Sequence, residues 1–365
     1  MKLKIAKFFE IHFNRRQNMG SNPDKQKTTV NGELRNRIEN LLLYLNQNLY
    51  GKEEALRLTL LSAVAGESVL LLGPAGREKN TVCRRVAGAF SDFYECGKLK
   101  IENDGYFEYF MNESLLIKDI CGPVDYVGTE HLTESYLPGA KIAFLDEIFE
   151  SSPAVLNTLL TIINDRKYHN GNKLCDLPIL FVAAGTSKTD PYKAAEEKKF
   201  ETLRESFALH VSVRPLTNDK DFFEFADSPN VTLKPNMEQK ALLLNTGEVK
   251  LWQSKINKVA IGDDVKKIIS EIRRKCFDYY VSDTRWKKII HILKTSAFLN
   301  GRDTVDLMDC SLIDYAVPYH FVEDILKQNH TRKFDSEQLA GYKANLFANR
   351  EYYKFFKLPA EKTAK

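Results

Sequence analysis

The sequence predicts an α/β fold, a parallel sheet flanked by helices, followed by an all-α domain. Three observations carry this. Short, almost wholly apolar runs recur at Ser68–Leu72, Lys141–Glu147 and Leu177–Ala184. Stretches with apolar residues at helical spacing separate them, as βαβ crossovers require. Beyond residue 215 such runs become scarce and amphipathic helical patterns take over.

The first regular element is a helix carrying Leu34, Ile38, Leu41, Leu42 and Leu45 on one stripe. After the link Leu49-Tyr50-Gly51, Glu53 to Ala65 forms a second. Ser68–Leu72 is apolar on both faces, the signature of a buried parallel strand. Lys141–Glu147 and Leu177–Ala184 read as two further strands, with a helix from Pro153 to Asp165 between them. The α/β part closes near Val211–Pro215. Asp264 to Tyr280 and Ser282 to Leu299 are amphipathic, and a last helix is expected from about Asp335 to Phe356. The expected division is therefore a basic leader over 1–30, an α/β core over 31–215, a helical domain over 216–330, and a C-terminal helix and tail over 331–365. The leader is expected to be disordered.

Composition limits the function. The 365 residues are 43% hydrophobic and 28% charged, an ordinary globular balance, with no apolar run long enough to span a membrane. The six cysteines form no CxxC pair, as in a reduced, cytoplasmic protein. The net charge of +4 sits in residues 1–28, which hold seven basic and two acidic residues. The remaining body is near neutral, so no nucleic-acid partner is expected. The seven histidines make no metal-binding pattern.

Gly73-Pro74-Ala75-Gly76-Arg77-Glu78-Lys79-Asn80-Thr81 falls between a strand and a helix. Backbone N–H groups and a helix N-terminus at such a turn favour phosphate. A complete phosphate-binding loop reads G-x-x-x-x-G-K-[ST]. Gly73, Gly76 and Lys79 are in place. Glu78 stands at the second motif glycine and brings a carboxylate beside a polyphosphate. Asn80 stands at the hydroxyl position that would hold Mg²⁺; its amide oxygen can ligate a hard cation but is less well suited in length and geometry. Thr81 is one helical step, about 100°, around the axis and cannot simply substitute. The strand over Lys141–Glu147 ends in Asp146, suited to orienting Mg²⁺, and Glu147, suited to polarising an attacking water.

Longer strings carry a family resemblance. They are Leu49-Tyr50, Gly66 to Pro74, Cys121-Gly-Pro123, Tyr136-Leu-Pro138, Ile142 to Ile148, Ala154 to Thr161, Ile163 to Arg166, Asn170-Gly171, Val281-Ser-Asp283, Arg285 to Lys288, Ser296-Ala-Phe298 and Gly301-Arg-Asp303. Over residues 33–330 the chain resembles the MoxR-type AAA+ ATPases, most closely the RavA branch, whose large insertion domain has no room here.

The resemblance implies an AAA+ P-loop core with a helical lid, ATP and Mg²⁺ as ligands, and a hexameric ring, homo- or hetero-oligomeric. It also implies chaperone-like remodelling of a protein partner, often one with a von Willebrand factor A domain. The segment from Phe110 to Ala140 would hold loops facing substrates or partners. Lys79 matches the phosphate-neutralising lysine, Asp146 and Glu147 the metal and water acids, and Leu49 and Tyr50 the segment against adenine. Other positions depart. The γ-phosphate sensor falls on Thr186. The arginine finger given to a neighbouring subunit falls on Ser206, with Arg204 beside it. The lid arginine falls on Thr284, with Arg285 beside it. These departures point to an ATP-binding protein with weak or lost hydrolysis; a fully active ATPase is the alternative.

Overall fold

The computed structural model describes residues 23–76, 78–95, 98–99, 105–125, 128, 130–187, 200–229, 233–276 and 281–317. Most of the basic leader, Arg77, and the helix expected over Asp335–Phe356 lie outside the described residues.

Five parallel strands form the central sheet: β1 (Val69–Leu72), β2 (Tyr106–Phe110), β3 (Ile142–Asp146), β4 (Phe181–Thr186) and β5 (Leu209–Ser212), in the order β2-β3-β4-β1-β5. The three strands expected from apolar runs are β1, β3 and β4, and the strand expected near Val211 is β5. β2 has no counterpart in the sequence reading. It alternates, with Phe107 buried and Tyr106, Glu108 and Phe110 on the other face, so it lacks the continuous apolar run that marks the inner strands.

Helices cover both faces, because every inner strand is apolar on both. Val69, Leu71, Phe144, Phe181 and Ala183 face one core with α2 (Glu53–Ala65) and α3 (Glu78–Ala87). Leu70, Leu72, Leu145, Val182 and Ala184 face another, against α4 (Ile117–Cys121) and α5 (Pro153–Asp165). The α2 and α5 bounds are those the sequence predicts. Gly66 ends α2 in a left-handed cap, and Pro153 starts α5 at a position where its missing N–H costs nothing. The first helix, Pro23–Leu45, begins inside the segment read as a disordered leader.

After β5 the chain is helical, with α7 (Asp219–Ala226), α9 (Thr246–Ile256), α10 (Asp263–Lys275) and α11 (Asp283–Leu299). The short α6 (Glu201–Glu205) precedes β5, and α8 (Met237–Leu242) falls between α7 and α9. Trp252, Ile268, Ile289 and Leu293 join the same core that underlies β1 and α2, so the helical region is packed onto the sheet by a continuous apolar layer. Among the described residues no helix is long and apolar enough to cross a membrane.

Candidate functional site

The site gathers where β1, β3 and β4 end. Gly73 follows β1; its N–H donates to Thr186 O, and a β-carbon there would overlap Val213 O, so only glycine fits. Pro74, Ala75 and Gly76 form an exposed turn into α3. Glu78 opens α3, and its carboxylate folds back over the Cα of Gly76.

Lys79 is 1% exposed. Its ammonium donates to Pro74 O at 3.0 Å and Gly73 O at 3.3 Å, and stands 3.6 Å from Asp146 Oδ1 and 3.7 Å from Glu147 Oε1. A buried ammonium costs several kcal/mol without partners, and these two acids and two carbonyls supply them. Burial pushes the Asp146 carboxyl up from its ordinary value; Lys79 opposes the shift and Glu147 adds to it.

Glu147 takes a left-handed backbone, φ 54°, in the turn after β3. For a side chain other than glycine this costs about 1–3 kcal/mol. The turn delivers its carboxylate to Ser187, whose N–H (2.9 Å) and hydroxyl (3.0 Å) both donate to Oε2. Thr186, fully buried, ends β4 beside Leu72 and places its carbonyl on Gly73.

Besides Ser187, two residues of this site were not found by the sequence reading. A β-carbon at Gly185 would overlap Asp146 Oδ1 and lie 3.0 Å from Lys79 Cε, so the missing side chain is what lets this pair approach. Glu108 on β2 is the second. Its carboxylate accepts from Asn80 Nδ2 (2.7 Å), Arg84 Nε (2.9 Å), Arg84 Nη2 (3.1 Å) and the Tyr106 hydroxyl (3.0 Å). Burial alone would raise its pKa, but these donors outweigh burial and hold it below the ordinary carboxylate range. Glu108 belongs to β2, whose alternating pattern hid it. Thr81 lies one residue farther along α3, half-buried.

Leu49 is buried and Tyr50 half-buried, and Tyr50 meets Phe225 of α7 edge-on at 6.4 Å. The neighbouring Lys52 ammonium donates to Arg214 O; burial lowers its pKa, against the nearby Glu78 and Glu53 carboxylates.

Ser206, Arg204, Thr284 and Arg285 are not brought to this edge. Phe207 precedes β5, whose Leu209 pairs with Val69 at the start of β1, so it lies at the end of the strands opposite Gly73. Arg285 is fully buried there: Nε donates to Phe207 O at 3.0 Å, Nη1 to Glu205 Oε1 at 3.0 Å, and Nη2 reaches His210 Nε2 at 2.9 Å. Burial, then the Arg285 charge, push His210 well below its ordinary pKa. Arg204 is 6% exposed, with Nε 3.9 Å from Glu205. Ser206 donates to Thr202 O and accepts from Asn164. Ser206 and Thr284 line one open cavity of about 450 Å³ with Asn164, Glu201, Thr202 and Glu205.

Near β3 a lysine thus meets two acids behind a strand-to-helix turn. The amide oxygen of Asn80 and the Asp146 carboxylate are oxygen donors of the kind Mg²⁺ takes when a nucleotide supplies the rest of its shell, and Lys79 suits phosphate oxygens. No cluster of three or more His, Cys, Asp or Glu suited to holding a metal alone occurs among the described residues.

Residues 36–223 match the family model described as "MoxR domain in the MoxR-vWA-beta-propeller ternary systems", and residues 264–318 match an AAA lid domain. Two uncharacterized proteins of Methanocaldococcus jannaschii, MJ0079 and MJ0812, are each 27% identical, over 80% and 82% of this chain and 73% and 78% of their own lengths. The structural protein ORF618 of Acidianus two-tailed virus is 28% identical over 41% of this chain and 24% of its own. A crystal structure from Cytophaga hutchinsonii, provisionally described as an ATPase, shares the fold at a TM-score of 0.60 and 16% identity, covering 89% of this chain and 98% of that one. The chain belongs to the MoxR-domain family of AAA+ ATPase-like proteins.

Proposed function

We propose that this chain binds ATP with Mg²⁺ as a RavA-like ring subunit, acting as a chaperone-like remodeller or regulatory subunit whose hydrolysis is weak or lost. The observation that carries the nucleotide reading is the convergence of Lys79, Asp146 and Glu147, with both acids within 3.7 Å of one ammonium. Phosphate oxygens would take over the lysine's present contacts with Gly73 O and Pro74 O. Glu147, fixed by Ser187, would face the attacking water.

The reduced activity follows from what faces a neighbour. Ser206 and Thr284 share one cavity near the start of β5, at the end of the strands opposite Gly73. Ser206 stands at the finger position offered to an adjacent subunit's nucleotide and Thr284 at the lid-arginine position, and neither carries a cation. Arginine at such a position contributes about 10³–10⁵ in phosphoryl-transfer rate. Arg285 does not compensate, because Glu205, Phe207 and His210 occupy its guanidinium. In this reading the core extends to about residue 215 and the lid over 216–330.

Exposed apolar side chains support a protein partner. Phe110, Leu116, Val124 and Leu132 lie on the segment from the end of β2 to residue 140, and Leu174 lies on the hairpin 167–176. Asn170 joins the two by pairing with the His131 backbone. A von Willebrand factor A domain protein is the partner this family suggests. Saturable binding of a fluorescent ATP analogue, abolished by Lys79→Ala, supports the reading; absence of binding by the native chain removes it.

A further inference from the structure

We propose that Glu108 is a positioning residue for Asn80, turning the Asn80 amide oxygen outward as a donor to the divalent cation of a bound nucleotide. The inference rests on the nucleotide reading and adds the residue that makes Asn80 competent in it.

An ionised carboxylate only accepts hydrogen bonds. Glu108 therefore admits only the NH₂ side of the Asn80 amide, at 2.7 Å from Oε1. The amide is planar, so Oδ1 points away from Glu108, and among the described residues no donor is bonded to it. Glu108 stays a fixed acceptor because Arg84 grips both its oxygens and Tyr106 adds a third donor residue.

The placement suits a cation shared with Asp146. Asn80 follows Lys79 in the first turn of α3, and Lys79 already reaches Asp146 Oδ1. Glu108 and Asp146 lie on adjacent paired strands, two register steps apart, where Phe110 pairs with Asp146. Buried Cys83, one turn along α3, feels the charge of both acids. A serine or threonine hydroxyl rotates to suit a cation; an asparagine amide has two unlike ends and needs a partner to choose between them. Glu108 makes that choice.

The test separates metal-dependent from metal-free binding. Mn²⁺ is titrated into the full chain with ATP and followed by EPR, while ATP affinity in EDTA is read with the fluorescent analogue. Glu108→Gln can offer its own NH₂ to Asn80 and release the amide orientation. It is expected to raise the Mn²⁺ midpoint about 10- to 100-fold, the range for residues that orient a metal ligand, with the EDTA affinity unchanged. Asn80→Ala, which leaves Glu108 and Arg84 in place, is expected to do the same. Glu108→Gln in an Asn80→Ser background is expected to have no effect on the midpoint, because a hydroxyl needs no orienting partner. Glu108→Gln that leaves the Mn²⁺ midpoint at its native value, or lowers EDTA affinity to the same extent, overturns the positioning role while leaving the nucleotide reading intact. Failure of the native chain to bind ATP in either condition overturns both.

Discussion

The ammonium of Lys79 stands 3.6 Å from Asp146 Oδ1 with only 1% of the lysine exposed, so one buried cation holds two adjacent carboxylates in place. Lys79→Ala would leave Asp146 and Glu147 facing each other without it. Breaking one side of a buried ion pair costs about 3–5 kcal/mol. The loss is expected to be larger at pH 7 than at pH 5, because burial already raises the Asp146 pKa and one protonated acid relieves the repulsion. Denaturant unfolding at the two pH values checks this; an equal loss at both would contradict it.

Gly185→Ala places a methyl group on Asp146 Oδ1 and against Lys79 Cε. Overpacking of this kind costs about 1–3 kcal/mol. The strand is buried and paired on both sides, so the acid is expected to move rather than the backbone. Thermal unfolding together with ATP binding should show lowered stability and weakened affinity. A variant that binds ATP as the native chain does would show that the close approach is dispensable.

Arg285 is an architectural residue in this chain. Arg285→Ala would strand Glu205 and the Phe207 carbonyl in a buried region, for an expected loss of about 3–5 kcal/mol. Arg285→Lys should rescue little, since one ammonium cannot reproduce a guanidinium fork. Equilibrium unfolding of both variants decides it; near-native stability of the lysine variant would argue against the fork.

His210 is fully packed and held neutral, its folded pKa lying well below the ordinary value of 6.5. Below about pH 6.5 the unfolded chain binds a proton that the folded chain refuses. This contribution to stability is therefore complete above pH 6.5 and declines as pH falls toward the folded pKa. The slope is at most about 1.4 kcal/mol per pH unit. Comparing native protein with His210→Gln from pH 7 to 5 should show a shallower decline in the variant. Parallel curves would mean that His210 titrates normally in the fold.

The sheet's inner strands were legible because burial on both faces leaves an unbroken apolar run, as at Val69–Leu72 and Ile142–Leu145. The edge strand β2 was not, because Glu108, bonded to Asn80 and Arg84 of α3, interrupts its apolar run. Glu108 was lost with it. Lys79, Asp146 and Glu147 were legible as candidates because motif spacing is local, and the fold brings them together. Gly185 was not, because its role is the space it leaves, which depends on a contact across two strands. The lid-arginine position was assigned to Thr284, with Arg285 beside it, by order in the family pattern. That Arg285 packs by Phe207 at the start of β5 was not legible, because it depends on where α11 begins, its Ser282 N–H bonded to Glu205.

The most direct test of the account is single-turnover hydrolysis of ATP by an excess of the native chain, set against Glu147→Gln. Saturable ATP binding is expected, with a turnover rate at or little above that of the glutamine variant. Turnover well above that background and abolished by Glu147→Gln would contradict it and establish an active ATPase.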